Sequence, residues 1–200
     1  MNNFGLYAIA TKPALSYGKV AEICVRQGVR FLQLREKHLS DRELLRAAAE
    51  IKSVTQGSQT IFVMNDRADL AYIAGADCLH LGQDDISVQD ARKIVGDMPI
   101  GLSTHSLQQV EAANQEELLY IGFGPVYPTT TKANPDPTVG VDLLREAVKL
   151  SKYPVVAIGG IFPENVATIM DAGAHNLCLV RHLMCEEMEQ RIVEINSMIR

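Results

Sequence analysis

The feature that most constrains this chain is a rhythm: short apolar runs alternate, end to end, with amphipathic segments of helical period. The runs are LYAIA, RFLQLREK (30–37), TIFVMND (60–66), CLHLGQ (78–83), IGLSTH (100–105), LLYIGFGPVY (118–127), PVVAIGG (154–160) and NLCLV (176–180). Between them lie SYGKVAEICVRQG, SDRELLRAAAEIKSV, RADLAYIAGA, SVQDARKIVG, SLQQVEAANQEE, VDLLREAVKLS and NVATIMDAGA, and EEMEQRIVEINSMIR closes the chain. Ser40, Ser87, Ser106 and Asn165 stand where N-caps belong, and Gly28, Gly96 and Gly173 stand where helices end. Eight strand-then-helix units predict a parallel sheet covered by helices, and eight is the number that closes a (β/α)8 TIM barrel. The rival, an open doubly wound sheet, would carry GxGxxG after its first strand, and this chain does not. With 200 residues, the expectation is a single barrel domain over 1–200 with short loops.

Composition narrows the function classes. A net charge of −5 argues against a nucleic-acid partner, because the phosphate backbone rewards a basic face. No apolar run reaches the roughly 20 residues that span a bilayer, and MNNFGLYAIA has no basic segment before its apolar stretch. A soluble, cytoplasmic protein without membrane contact is expected. Cys24, Cys78, Cys178 and Cys185 lack CxxC spacing and read as buried apolar residues in a reducing compartment.

Barrels of this kind place their active sites at the C-terminal ends of the strands, so the polar residues finishing each run are the candidates. In QLREK, period two puts Gln33, Arg35 and Lys37 on one face and turns Leu32 and Leu34 toward the helices. The third and fourth runs end in Asn65-Asp66 and in GQDD, Gly82 to Asp85. Carboxylates at neighbouring strand ends suit Mg²⁺, which takes one or two of them and completes its shell with water and substrate phosphates. The alternative is that Asp66, Asp84 and Asp85 merely cap the helices that follow.

Ser103 and His105 share a face, yet a hydrolase is disfavoured: there is no GxSxG elbow and no acid is evident to orient the histidine. Hydrogen bonding to a ligand is the role expected of Ser103. His38, His80, His175 and His182 form no ligand pair and read as structural. The sixth run offers Gly122 and Gly124, side-chain-free on one face, then Thr129, Thr131 and Lys132. Gly159-Gly160 beside a helix start near Asn165 suggest a phosphate cradle, and Val180-Arg181 end the last strand. Arg35, Lys37, Lys132 and a carboxylate-held metal thus suit a pyrophosphate, whereas the threonines and glycines suit a phosphate monoester. A donor and an acceptor of that kind point to group transfer.

QLREK, NDRADLA, GADCLHLGQDD, GLSTH, GPVYPTTTK and AIGGI, in this order and across nearly the whole chain, resemble the thiamine phosphate synthase family. The resemblance implies a (β/α)8 barrel that joins hydroxymethylpyrimidine pyrophosphate to hydroxyethylthiazole phosphate with Mg²⁺, releasing pyrophosphate by a dissociative mechanism. Carried onto this sequence, it implies that Gln33 contacts the pyrimidine, that Arg35, Lys37 and Asn65 contact the pyrophosphate, and that Asp66 and Asp85 hold the metal. It implies further that Ser103 and Lys132 stabilise the departing pyrophosphate, while Thr129, Thr131, Gly160, Val180 and Arg181 hold the thiazole phosphate. Arg181 departs from the serine common at its position, and ANPDPTVG follows Lys132 where an acidic residue often stands close by. The family includes thiazole tautomerase relatives, in which a histidine placed like His105 transfers protons and the ND and TxTK elements are degraded; both elements persist here. The alternatives to a synthase are therefore a tautomerase and a non-catalytic thiazole phosphate- or thiamine phosphate-binding barrel. The sequence does not give the oligomeric state; small barrels of this length often pair through a helical face, which leaves a homodimer open.

Overall fold

The computed structural model describes residues 3–130 and 136–199. Its strands are β1 (Gly5–Ala10), β2 (Phe31–Leu34), β3 (Ile61–Asn65), β4 (Cys78–Leu81), β5 (Ile100–Thr104), β6 (Tyr120–Phe123), β7 (Val155–Ile158) and β8 (Asn176–Leu179). Helix α1 (Tyr17–Arg26) follows β1, α2 (Asp41–Thr55) follows β2, α3 (Ala68–Ile73) follows β3 and α4 (Val88–Val95) follows β4. The second half continues with α5 (Leu107–Ala113), α6 (Gly140–Leu150), α7 (Pro163–Asp171) and α8 (Met188–Met198). The strands form a closed parallel barrel in chain order, with β8 returning to pair with β1 from Gly5↔Asn176 to Ala8↔Leu179. This is the (β/α)8 fold that the rhythm predicts.

Period two divides the strand residues into two cores. Leu32, Leu34, Phe62, Met64, Leu79, Leu81, Ile121 and Phe123 face outward into the layer packed against the helices. Tyr7, Ile9, Phe31, Val63, Cys78, Tyr120, Val156 and Cys178 fill the interior. Burial on both faces is why the runs read as almost continuously apolar. Helix faces follow the same logic at period 3.6: Leu44, Ala47, Ala48 and Ile51 line the inner stripe of α2.

Helix starts follow their caps. Ser40 accepts from Glu43 N while Glu43 reaches back to Ser40 N, and Ser87 and Ser106 accept from Asp90 N and Gln109 N. Asn165 differs from expectation. The helix begins earlier, at Pro163, whose fixed φ suits a first turn and whose missing N–H costs no bond there. Asn165 lies inside that turn, accepting from Phe162 N at 3.0 Å and donating to Gly160 O at 2.8 Å. The second and sixth strands also stop short of the apolar runs, at Leu34 and Phe123.

Beyond β6 the chain crosses to β7, where Val126 N and Tyr127 N donate to Ile158 O and Gly159 O. Glycine is obligatory in this corner. A Cβ on Gly124 would lie 2.0 Å from Ile158 O, one on Gly159 2.4 Å from Pro125, and one on Gly160 2.6 Å from Tyr127. Gly124 is thus a steric necessity as well as part of the cavity lining.

Within the barrel an aromatic layer forms. Tyr7 stacks on Phe31 at 5.3 Å, and Tyr120 meets both edge-on at 5.5 and 5.4 Å. Gly101 makes room for the Tyr120 ring, since a Cβ there would stand 2.2 Å from the ring's Cζ. Gly101→Ala is therefore expected to cost about 1–3 kcal/mol by overpacking, which lowers Tm by roughly 2–4 °C per kcal/mol in a chain of this size. Gly122→Ala, whose Cβ would meet only ordinary contacts at 3.7 and 3.9 Å, should leave Tm within about 2 °C of wild type. Thermal unfolding of the two variants checks this ordering.

Candidate active site

A cavity of about 810 Å³, counted out to its open mouth, sits at the C-terminal ends of the strands. Ile9, Ile158, Cys178 and Val180 make its apolar wall, and Arg35, Ser103, His105, Thr129, Asp136 and Arg181 supply its polar lining. Burial raises the Cys178 thiol well above its ordinary value, so it lines the cavity as a neutral group.

Arg35 follows β2, anchored by its N–H on Ala10 O at 3.0 Å, and reaches the cavity. Two residues on, Lys37 pairs with Asp66 in a short contact. Asp66 occupies the left-handed region at φ 62, and its N–H donates to His80 O at 2.8 Å. Left-handed backbone is uncommon for a non-glycine residue and clusters at functional sites. Arg67, next in the chain, grips Asp41 with two hydrogen bonds and also holds Asp69, joining the starts of α2 and α3. The alternative role as helix caps does not describe these aspartates: Arg67 stands at the N-cap of α3 without a side-chain cap, and Ser87 caps α4.

Asp85 accepts from Gly82 N at 2.6 Å and lies beside Asp66. Burial holds its carboxyl above the usual range, helped by a hydrogen bond that its protonated form donates to Asp66 and by the charge of Asp66, and opposed by the Gly82 N–H and Lys37. Asn65 ends β3 in register with His80.

Gln33 lies beneath the cavity, 1% exposed, and donates from Nε2 to Tyr7 Oη at 2.8 Å. From there, contacts run Tyr7 Oη to Tyr120 Oη (2.7 Å), Tyr120 Oη to His80 Nδ1 (2.9 Å) and His80 Nε2 to Ser103 Oγ (2.9 Å). His80, read from sequence as structural, is thus the partner of Ser103. The available signal was parity: His80 shares the inward face of CLHLG with Cys78 and Gly82.

His105 has different neighbours. Its Nδ1 lies 2.6 Å from Gly124 O and its Nε2 3.5 Å from Asp136 Oδ2. An acid therefore does accompany this histidine, contrary to the sequence reading, but Ser103 is not joined to it. Nearby, Arg181 donates to Thr130 Oγ1 at 2.8 Å and lies 5.4 Å over the Phe162 ring, tying two loops across the rim. His182 meets Phe162 edge-on at 5.9 Å, and burial, then Arg191, lowers its pKa. Gly160, Thr129 and Val180 line the same side. Thr131 and Lys132 lie outside the described residues.

Two unlike regions thus stand at the barrel mouth. Charged groups gather at the ends of β2 to β4, and a glycine-cornered, largely apolar rim stands at the ends of β6 to β8. Of the first region, among the described residues, only Arg35 lines the cavity itself. A sequence profile described as thiamine monophosphate synthase matches residues 6–183. The chain belongs to the thiamine monophosphate synthase family. A thiamine-phosphate synthase of Koribacter versatilis is 42% identical over 171 residues, 85% of this chain and 81% of that protein. One from Caldicellulosiruptor saccharolyticus is 35% identical over 201 residues, covering 100% of this chain and 91% of its own length. Among solved structures, thiamine phosphate pyrophosphorylase from Pyrococcus furiosus superposes with a TM-score of 0.88 at 28% identity, covering 99% of this chain and 96% of that one.

Mg²⁺, expected from the family resemblance, fits the residues present. Two carboxyls stand side by side and one resists ionisation, chiefly through burial and further through its neighbour's charge, both of which a hard divalent cation offsets. Among the described residues no three His, Cys, Asp or Glu side chains gather to hold an ion alone, so water and substrate oxygens would complete the shell. Because the folded pKa of Asp85 is raised, its favourable contribution is complete only below the unfolded carboxyl value of about 3.9 and is lost as pH rises through the folded value. Asp85→Asn is therefore expected to be at least as stable as wild type at neutral pH without metal. Mg²⁺ at tenfold excess over its Kd should stabilise the wild type by about 1.4 kcal/mol and leave Asp85→Asn unmoved. Thermal unfolding with and without Mg²⁺ reads both effects.

Proposed function

We propose that this chain is a transferase that condenses hydroxymethylpyrimidine pyrophosphate with hydroxyethylthiazole phosphate, giving thiamine phosphate and pyrophosphate. The observation that carries the proposal is the two-sided setting of the cavity: Arg35 lines it where the Lys37, Asp66 and Asp85 group stands at the neighbouring strand ends, and the Gly160 and Thr129 corner lines the other side. One end suits a leaving pyrophosphate and the other an acceptor's phosphate ester.

The reaction we infer is dissociative. The bond between the pyrimidine methylene and the pyrophosphate oxygen breaks with its electron pair leaving on oxygen, and the thiazole nitrogen then supplies the pair for the new C–N bond. No nucleophilic side chain is needed, in keeping with a Ser103 joined to His80 rather than to an activated triad. Arg35, Lys37 and Lys132 would take up the charge developing on the leaving group, and Ser103 would donate to it. Mg²⁺ held on Asp66 and Asp85 would neutralise further charge on the pyrophosphate. Around the reacting carbon, Ile9, Ile158, Cys178 and Val180 keep water from capturing the cation. Cys178, held neutral by burial, does not compete as a thiolate.

A second reading rests on His105. Its place on the cavity beside Asp136 supports a tautomerase-like proton transfer on the thiazole, a reaction that needs no metal. Incubating the purified protein with both substrates, with and without Mg²⁺, separates the two. Metal-dependent thiamine phosphate is the expected product, and EDTA-insensitive isomerisation of the thiazole would favour the second reading. Arg35→Ala and Lys132→Ala should each lose about 10²–10³ in kcat. For Arg35→Ala, Tm should be retained, and near-normal rates in either variant would overturn the proposal.

A further inference from the structure

The contacts from Gln33 to Ser103 cross the barrel interior, from β2 through β1, β6 and β4 to β5. Tyr7 and Tyr120 are 2% and 1% exposed, so the proton of each hydroxyl must find an acceptor inside the protein. Burial pushes both phenols well above 10, leaving each with its single proton.

That proton count makes the line one-way, and the Gln33 amide, with Nε2 toward Tyr7, sets its direction. Gln33 Nε2–H donates to Tyr7, so the Tyr7 proton goes to Tyr120 and the Tyr120 proton to His80 Nδ1. Reversing any middle link leaves a buried hydroxyl proton without an acceptor along the line. With Nδ1 accepting, the neutral imidazole carries its proton on Nε2 and donates it to Ser103 Oγ. The Ser103 hydroxyl, its oxygen already accepting, then turns its own proton toward the cavity it lines. Had the Gln33 amide been turned over, every bond would reverse. Ser103 would then donate inward to His80 and offer the cavity only lone pairs.

We propose that Gln33, Tyr7, Tyr120 and His80 form a one-way hydrogen-bond line that holds His80 as its Nε2–H tautomer and commits the Ser103 hydroxyl proton to the anion departing in the cavity. Tyr7, Tyr120 and His80 are thereby positioning residues for the reaction. The nature of the anion rests on the function proposed above; the tautomer does not.

The direct test is a long-range ¹H–¹⁵N spectrum of the labelled, ligand-free protein at about pH 8, above the ordinary imidazole range near 6.5. His80 signals are assigned by their loss in His80→Asn. An Nε2–H tautomer is expected, and an Nδ1–H tautomer overturns the proposal whatever the protein catalyses. The second test is kinetic. Tyr120→Phe, which removes only the hydroxyl, should lower kcat about tenfold, the worth of one good hydrogen bond, and change KM for the pyrimidine substrate less than about twofold. Ser103→Ala should lower kcat about 10²-fold. The double variant should be no slower than Ser103→Ala alone, because the tyrosine acts through the serine. Multiplying losses would show that Tyr120 acts elsewhere and would also overturn the proposal. Should Tyr120→Phe fail to fold, the wild-type spectrum still decides. A wild type that makes no thiamine phosphate defeats the functional reading and leaves the tautomer measurement standing.

Discussion

Closure of the barrel is the constraint on which the rest depends. Once β8 pairs with β1, every strand has two neighbours and two buried faces, and the parity of each residue decides whether it meets helices or the interior. A one-residue slip would exchange the two sets. Leu34 and Arg35 are adjacent, yet one packs under the helices and the other lines the cavity. The same parity brings Gly122 and Ser103 inward as register partners on adjacent strands. The site is therefore an end effect of the sheet, formed where apolar alternation gives way to polar side chains that inherit its directions.

A closed interior must also be filled, and its filling grades from apolar to polar toward the mouth. Phe4, Tyr7, Phe31 and Tyr120 occupy the lower part with ring centroids 4.5 to 6.5 Å apart. Tyrosines carry hydroxyls into that layer, and a buried hydroxyl without a partner is costly. Each oxygen points to the next polar group upward, so satisfying the tyrosines leads the hydrogen bonds through His80 to Ser103. Core packing and the site are thus continuous. The His80 ring even stacks nearly parallel to Tyr120, 15° between planes at 5.7 Å.

Much of this was legible in the sequence, because it depends on local period. The eight units, the inward face of QLREK and the serine caps follow from spacings of two and 3.6. What was not legible depends on distant chain segments meeting. His80 sits alone in an apolar run, and its partners come from β5 and β6. Asp136 reaches His105 from well beyond β6 in the chain. Asn165 was misplaced as a cap because the competing signal, Pro163, outranks it at a helix start. Gly124 lines the cavity, as its place in the sequence suggested, but a glycine letter does not also reveal the close approach of a carbonyl, here Ile158 O.

The two sides of the barrel mouth bear different costs. Asp66 holds a left-handed backbone, and Asp85 keeps a carboxyl that burial and its neighbour both push toward neutrality. Neither arrangement favours the fold by itself. Both lie at the ends of β3 and β4, where the Arg67 clamp between α2 and α3 fixes the loop against relaxation. The opposite side has no such charge conflict: glycines remove side chains, Arg181 is occupied by Thr130 and Phe162, and the wall is aliphatic. In the reaction proposed above, a leaving group that develops charge would gain most where charges are already held in place, and a reactive carbon would be best kept against the aliphatic wall. The barrel sets those two surroundings on different strands of one sheet.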